Sequence, residues 1–121
     1  MIFYISGPIT GMPDGNKKDF QTAQKAIKWL FKKNHPELKV INPQKIGAKV
    51  DRQFKNSGKT PEWEDYMRAC VRELATATFV FLLPGWQNSR GAVMEKNMAE
   101  MLKIPYATNM DEILQLVIER K

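Results

Sequence analysis

At 121 residues, 43% hydrophobic and 26% charged, the chain has the size and composition of an ordinary soluble globular protein, one domain over 1–121 with its own apolar core. No apolar run approaches membrane-spanning length, and the single cysteine, Cys70, excludes an internal disulfide and fits a reducing cytoplasm. A net charge of +6 favours anionic partners in general, but the basic residues are spread along the chain and not clustered with aromatics, which makes a nucleic-acid surface the weakest reading.

The N-terminal MIFYISG has no basic region and Ser6 interrupts its apolar run, so Ile2 to Ser6 reads as a buried strand and not as a signal peptide. A loop bent by Gly7, Pro8, Gly11, Pro13 and Gly15 follows. Its spacing is not that of a dinucleotide-binding fingerprint, and either a close backbone approach to a ligand or a plain turn explains its glycines. From Lys17 to Lys33, Phe20, Ala23, Ala26, Ile27, Leu30 and Phe31 recur at helical spacing. His35 lies in a connector without a second metal-type ligand nearby, so no metal is expected. Leu38 to Asn42 gives a second strand, closed by Asn42-Pro43. Gln44 to Thr60, rich in Lys, Arg, Asn and Gly, is expected to be irregular, as a lid, a binding loop or a mobile segment.

Thr60-Pro61-Glu62 predicts a helix start, with Thr60 as cap, Pro61 in first position and Glu62, Glu64 and Asp65 in the first turn. This helix is expected to run to Ala77, burying Trp63, Tyr66, Met67, Cys70, Val71 and Leu74. Phe79 to Leu83 is a third strand, a helix starts near Gly91, Ile104 to Tyr106 is a last strand, and a helix begins near Met110 or Asp111. Strands and helices alternate throughout. That order predicts a three-layer α/β domain, a mostly parallel sheet of four to five strands covered by helices on both faces.

Within the helix from Gly91, Glu95 shares a stripe with Met98, Ala99 and Leu102, a costly place for a carboxylate unless it is compensated or used. The N-terminal dipole of its own helix is one compensation. The loops after the first and third strands, Gly7 to Gly15 and Pro84 to Arg90, both lie at carboxyl ends of parallel strands, where ligands of open sheets bind. Ser6, Gly7 and Pro8 on one side, and Ser89, Arg90 and Gly91 on the other, are therefore the candidate substrate-binding residues. Free N–H groups at the helix start suit a phosphate or a sugar hydroxyl. A carboxylate beside such a pocket suits an electron-poor carbon, such as the anomeric carbon of a nucleoside.

YISGPITG (Tyr4 to Gly11), VINP (Val40 to Pro43), WEDYMR (Trp63 to Arg68) and LLPGWxxSRGAxxE (Leu82 to Glu95) together resemble the small nucleoside 2-deoxyribosyltransferase-like proteins grouped as domain of unknown function 4406. The likeness spans nearly the whole chain. It extends more weakly to nucleoside deoxyribosyltransferases and deoxynucleoside 5′-monophosphate N-glycosidases. The resemblance implies a flavodoxin-like or Rossmann-like fold, a homodimer or larger homo-oligomer, and no cofactor. It implies that Glu95 is the nucleophile, with Tyr4 beside it and Ser89 at a phosphate. Two departures stand out: Cys70 takes the place of an aspartate used by the monophosphate hydrolases, and Pro8 and Thr10 stand where those enzymes use a serine and an arginine. Asp65, earlier on the Cys70 helix, is the candidate replacement acid.

Two function classes follow. One is an enzyme that cleaves or transfers the N-glycosidic bond of a nucleoside or nucleoside 5′-monophosphate through Glu95, with Tyr4 and Asp65 assisting. The other is a nucleotide-binding module that has kept the crevice and lost turnover, the reading that Cys70 favours.

Overall fold

Alternation along the first strand divides the molecule into two faces. Phe3 and Ile5 point one way, Tyr4 and Ser6 the other, because successive side chains of a strand leave opposite sides of the pleat. The computed structural model describes residues 1–120. Its elements are β1 (Ile2–Ser6), α1 (Lys17–Phe31), β2 (Lys39–Ile41), α2 (Pro43–Phe54), α3 (Trp63–Leu74), β3 (Phe79–Leu82), α4 (Arg90–Met101), β4 (Tyr106–Ala107) and α5 (Met110–Glu119). The four strands form one sheet in the order β2-β1-β3-β4, every neighbouring pair parallel. This is the strand order of a flavodoxin-like sheet, a Rossmann-like α/β fold, with its switch point between β1 and β3.

One face of the sheet packs Phe3, Ile5, Phe79 and Phe81 against Phe20 and Ile27 of α1 and Ile113 of α5. The Phe3 ring stacks on Phe31 with centroids 5.7 Å apart. The other face packs Tyr4, Val80 and Leu82 against Cys70 and Leu74 of α3 and Ala99 of α4, with Ile46 of α2 beside them. Burial on both faces is why β1 and β3 read as continuous apolar runs and not as alternating ones. Each large side chain wholly withdrawn from water contributes about 1.5–3 kcal/mol, and Phe3, Ile5, Phe20, Ile27 and Leu74 all have no exposed surface. No helix of the described residues is long and apolar enough to cross a membrane.

The stretch expected to be an irregular loop after β2 is largely a helix. Asn42 caps α2 by accepting the Gln44 N–H at 3.0 Å, and Pro43 occupies the first helical position. Ile46, Val50 and Phe54, four residues apart, give α2 an inward edge, and only Lys55 to Glu62 is left as connection. The start of α3 also differs from the expectation of a Thr60 cap. Glu62 is the capping residue, its N–H donating to Asp65 Oδ2 at 2.8 Å, so Pro61 precedes the helix instead of beginning it. This helix closes at Leu74, three residues short of the expected Ala77. The final strand lies at Tyr106–Ala107, just after the expected Ile104 to Tyr106, because Val80 N–H pairs with the Pro105 carbonyl and proline itself has no N–H to give the ladder.

Candidate active site

Tyr4 and Ser6 project from β1 toward the face covered by α3 and α4, and there they meet Glu95. The Tyr4 hydroxyl donates to Glu95 Oε2, and Ser6 Oγ donates to Glu95 Oε1 at 2.8 Å. Glu95 is 5% exposed, and Tyr4 and Ser6 have no exposed surface. The inward stripe of α4 is Ala92, Glu95 and Ala99, whereas Leu102, expected on it, is exposed. Small residues on either side of Glu95 let α4 sit close to the sheet, so the carboxylate reaches two strand side chains.

Glu95 is the sixth residue of α4, beyond the first turn where the helix dipole acts strongly. Its compensation is therefore mainly the two hydroxyl donors. Burial pushes the carboxyl up to about 7, while the hydrogen bonds from Tyr4 and Ser6 pull it back. Tyr4 is held well above the usual phenol range, by burial first and then by the neighbouring Glu95 carboxylate, so it keeps its proton and remains a donor. Burial, reinforced by Glu95, also pushes the Cys70 thiol up to about 12. Cys70 is thus a neutral, poorly nucleophilic group beside the carboxylate.

Glu95 opens onto a cavity of about 450 Å³ at the carboxyl end of the sheet. The loop after β1 contributes Gly7, Ile9 and Thr10, α2 contributes Gly47 and Asp51, α3 contributes Trp63, Tyr66 and Cys70, and the start of α4 contributes Ser89 and Gly91. Gly7 is required by space: a Cβ there would lie 2.8 Å from Leu83 Cβ. Gln44 of α2 donates through Nε2 to the carbonyls of Asp14 and Gly15, tying the β1 loop to the helix. Tyr66 donates its hydroxyl to Asp51 Oδ1, joining α3 to α2, and this bond is the main reason the phenol rises to about 12.

Of the candidate residues, Gly7, Ser89, Gly91 and Glu95 line this cavity, and Tyr4 and Ser6 sit beneath it holding Glu95. Ser6 is accordingly a positioning residue and not a wall of the pocket. Pro8 lies outside the lining, next to Gly85. The Arg90 guanidinium covers the Trp63 ring, 3.8 Å from its centroid, and borders a different groove. The Ser89 hydroxyl caps α4 by accepting the Ala92 N–H at 3.2 Å. Asp65 is outside the lining too, its carboxylate engaged by the Glu62 N–H. Asp51, Trp63, Tyr66 and Met67 were not among the candidates. The three α3 residues carry the signature of an ordinary apolar helix face, and Asp51 lies in the stretch expected to be irregular. No group of three or more His, Cys, Asp or Glu side chains among the described residues is arranged to hold a metal ion.

The arrangement can present one carboxylate, poised between its two protonation states near neutrality, to a ligand large enough to fill a nucleoside-sized space. The family model described as Domain of unknown function (DUF4406) matches residues 1–108. No curated protein and no solved structure matches the chain.

Proposed function

The chain belongs to the DUF4406 family, and from the geometry of its site we propose that it cleaves or transfers the N-glycosidic bond of a nucleoside or nucleoside 5′-monophosphate, with Glu95 as nucleophile. The observation that carries this reading is a carboxylate 5% exposed, held by Tyr4 and Ser6, at the wall of a cavity of about 450 Å³. A nucleophile must face the space that its substrate occupies, and Glu95 is part of the lining of this cavity. Desolvation keeps part of Glu95 protonated at neutral pH but makes its anionic form more reactive, and the two hydroxyls fix the direction of attack. The aromatic side of the cavity, Trp63 and Tyr66, suits a base, and the free N–H groups at the start of α4 suit the sugar or its 5′ substituent. The resemblance to nucleoside 2-deoxyribosyltransferases and monophosphate N-glycosidases supports the same assignment.

In this reading C1′ loses its base through a cation-like state that Glu95 traps as a glycosyl ester. Water then releases the sugar, or a second base accepts it. No cofactor takes part, and assembly into a homodimer or larger oligomer belongs to the same proposal. Cys70 favours a second reading, a nucleotide-binding module without turnover, because its protonated thiol cannot supply the acid that related hydrolases place there. Incubation with deoxy- and ribonucleosides and their 5′-monophosphates, with and without free base, distinguishes the two. Base release or exchange that Glu95→Gln abolishes supports the enzyme. Absence of turnover with every substrate, together with a nucleotide-induced rise in Tm, supports the binding module.

A further inference from the structure

The charge of the cavity is opposite to that of the chain. The protein carries +6 overall, yet the charged side chains lining the Glu95 cavity are Asp14, Asp51 and Glu95, with no Lys, Arg or His among them. The cations are directed elsewhere. Arg90 lies over Trp63 and borders another groove, and Lys17, Lys25, Lys28 and Lys45 line a separate cleft between α1 and α2. Trp63, Tyr66 and the Met67 thioether form the α3 side of the cavity. Carboxylates set against aromatic faces and a polarisable sulfur are the chemistry that holds a delocalised organic cation.

The departing base also needs somewhere to put its electrons. A neutral base leaves as an anion unless a proton donor meets it, and this cavity has no imidazolium or ammonium to donate one. The Tyr66 hydroxyl is directed at Asp51 and the Tyr4 hydroxyl at Glu95, so neither faces a leaving group. A base that already carries positive charge leaves neutral and requires no donor.

Resting on the N-glycosidase reading, we infer that the cavity selects nucleosides whose base is cationic, an N-glycosylpyridinium or an N7-alkylated purine, with Asp51 as the residue that recognises the charge. Glu95 bonds to C1′ as the C1′–N bond breaks, and the bonding pair passes to the positively charged ring, which departs neutral. Water then adds to C1′ of the glycosyl ester, restoring the Glu95 carboxylate and releasing the free sugar and one proton to solvent. The same field disfavours a 5′-phosphate, because the roughly half-unit positive charge of the α4 N-terminus is outweighed by the three carboxyl groups. At separations within one such cavity each full charge changes binding by a factor on the order of ten.

Nicotinamide riboside and 7-methylguanosine, compared with guanosine and guanosine 5′-monophosphate, test this by base release and by the shift in Tm. The expected result is a kcat/KM at least about tenfold higher for the two cationic nucleosides than for guanosine, with a smaller cationic-to-neutral ratio in Asp51→Asn. Asparagine retains an oxygen to accept the Tyr66 hydroxyl, so this variant removes charge while preserving the link between α2 and α3. Equal or faster turnover of guanosine or its monophosphate overturns the charge selection and leaves the N-glycosidase reading intact. If none of the four is turned over, the Tm arm decides the charge selection, and the N-glycosidase reading rests on the deoxynucleosides of the wider panel. A larger shift with nicotinamide riboside than with guanosine, reduced in Asp51→Asn, then supports the selection, and equal shifts overturn it.

Discussion

Replacing Tyr4 by Phe isolates the strongest contact in the site. The ring has no exposed surface and packs in the sheet core, so Phe preserves the packing and deletes only the hydroxyl that donates to Glu95 Oε2. That hydrogen bond favours the ionised carboxylate, so its loss raises the Glu95 midpoint above the native value of about 7. A hydrogen bond to a charged group is worth about 1.5–3 kcal/mol and one pKa unit about 1.4 kcal/mol, which makes the expected rise about one to two units. At pH 7 the ionised fraction then falls from about a half to between roughly a tenth and a hundredth. If the anion is the nucleophile, kcat/KM at pH 7 drops by about five- to fiftyfold and recovers as the pH is raised. NMR titration of the side-chain carboxyl carbons, compared with Glu95→Gln to assign the resonance, reads the midpoint without any substrate. The groups facing Glu95 that titrate with it are Tyr4 and Cys70, both pushed above neutrality, so the transition near 7 belongs to Glu95. An unchanged or lowered midpoint in Tyr4→Phe refutes the assignment of Tyr4 as the donor that tunes the carboxylate. Ser6→Ala should move the midpoint in the same direction by less, because Tyr4 exerts the larger of the two hydrogen-bond effects.

Much of the fold was legible because the two-sided burial of β1 and β3 produces apolar runs that little else in a soluble chain resembles. Glu95 was legible for a related reason: an acid on a stripe with Met98, Ala99 and Leu102 is out of place, and the structure buries it against Tyr4 and Ser6, although Leu102 is exposed and Ala92 takes its place on the inward stripe. Its partners were only half legible. Tyr4 and Ser6 share a strand face by alternation, but which helix covers that face is a matter of tertiary packing that no local pattern encodes. The helix α2 was missed because Gly47 and the flanking lysines dilute its period, and because Asn42-Pro43 was read as the end of a strand when it is also a cap followed by a first-position proline. Asp51, and with it the acidic character of the cavity, depends on α2, so neither is legible without that helix. Thr60 illustrates the opposite error. A hydroxyl before proline is a good cap in isolation, but the Glu62 and Asp65 pair two residues later makes the reciprocal arrangement that the chain adopts.

Three further outcomes are open to direct measurement. Gly7→Ala places a methyl 2.8 Å from Leu83 Cβ, which is fixed to a 3% exposed backbone position, so chemical denaturation should show a loss of about 1–3 kcal/mol and ligand-induced Tm shifts should shrink. Asn42→Ala removes the cap of α2 and the buried hydrogen bond that Asn42 Nδ2 donates to Gln24 Oε1 at 3.3 Å, and should cost about 1–3 kcal/mol, with faster amide exchange at Gln44 and its neighbours in the first turn. The third concerns Glu95→Gln and the pH dependence of stability. Because burial raises the folded carboxyl to about 7 from its ordinary 4.5, the folded state binds the proton more tightly than the unfolded chain does. Stability from this group is therefore fully present below about 4.5, declines as the pH rises through 4.5 to 7, and is absent above. Two and a half units correspond to roughly 3 kcal/mol as an upper bound. Glutamine is neutral at every pH, and its carboxamide can accept from Tyr4 while donating to Ser6 Oγ. Glu95→Gln should thus match the native protein in denaturation midpoint near pH 4, and exceed it increasingly up to pH 8, while abolishing turnover. A variant that is more stable at pH 8 and inactive would identify Glu95 as a charge kept in the core at a cost to folding. Equal stabilities at both pH values would mean that the carboxylate is solvated more fully than its burial implies, and the argument for a desolvated nucleophile would fall with it.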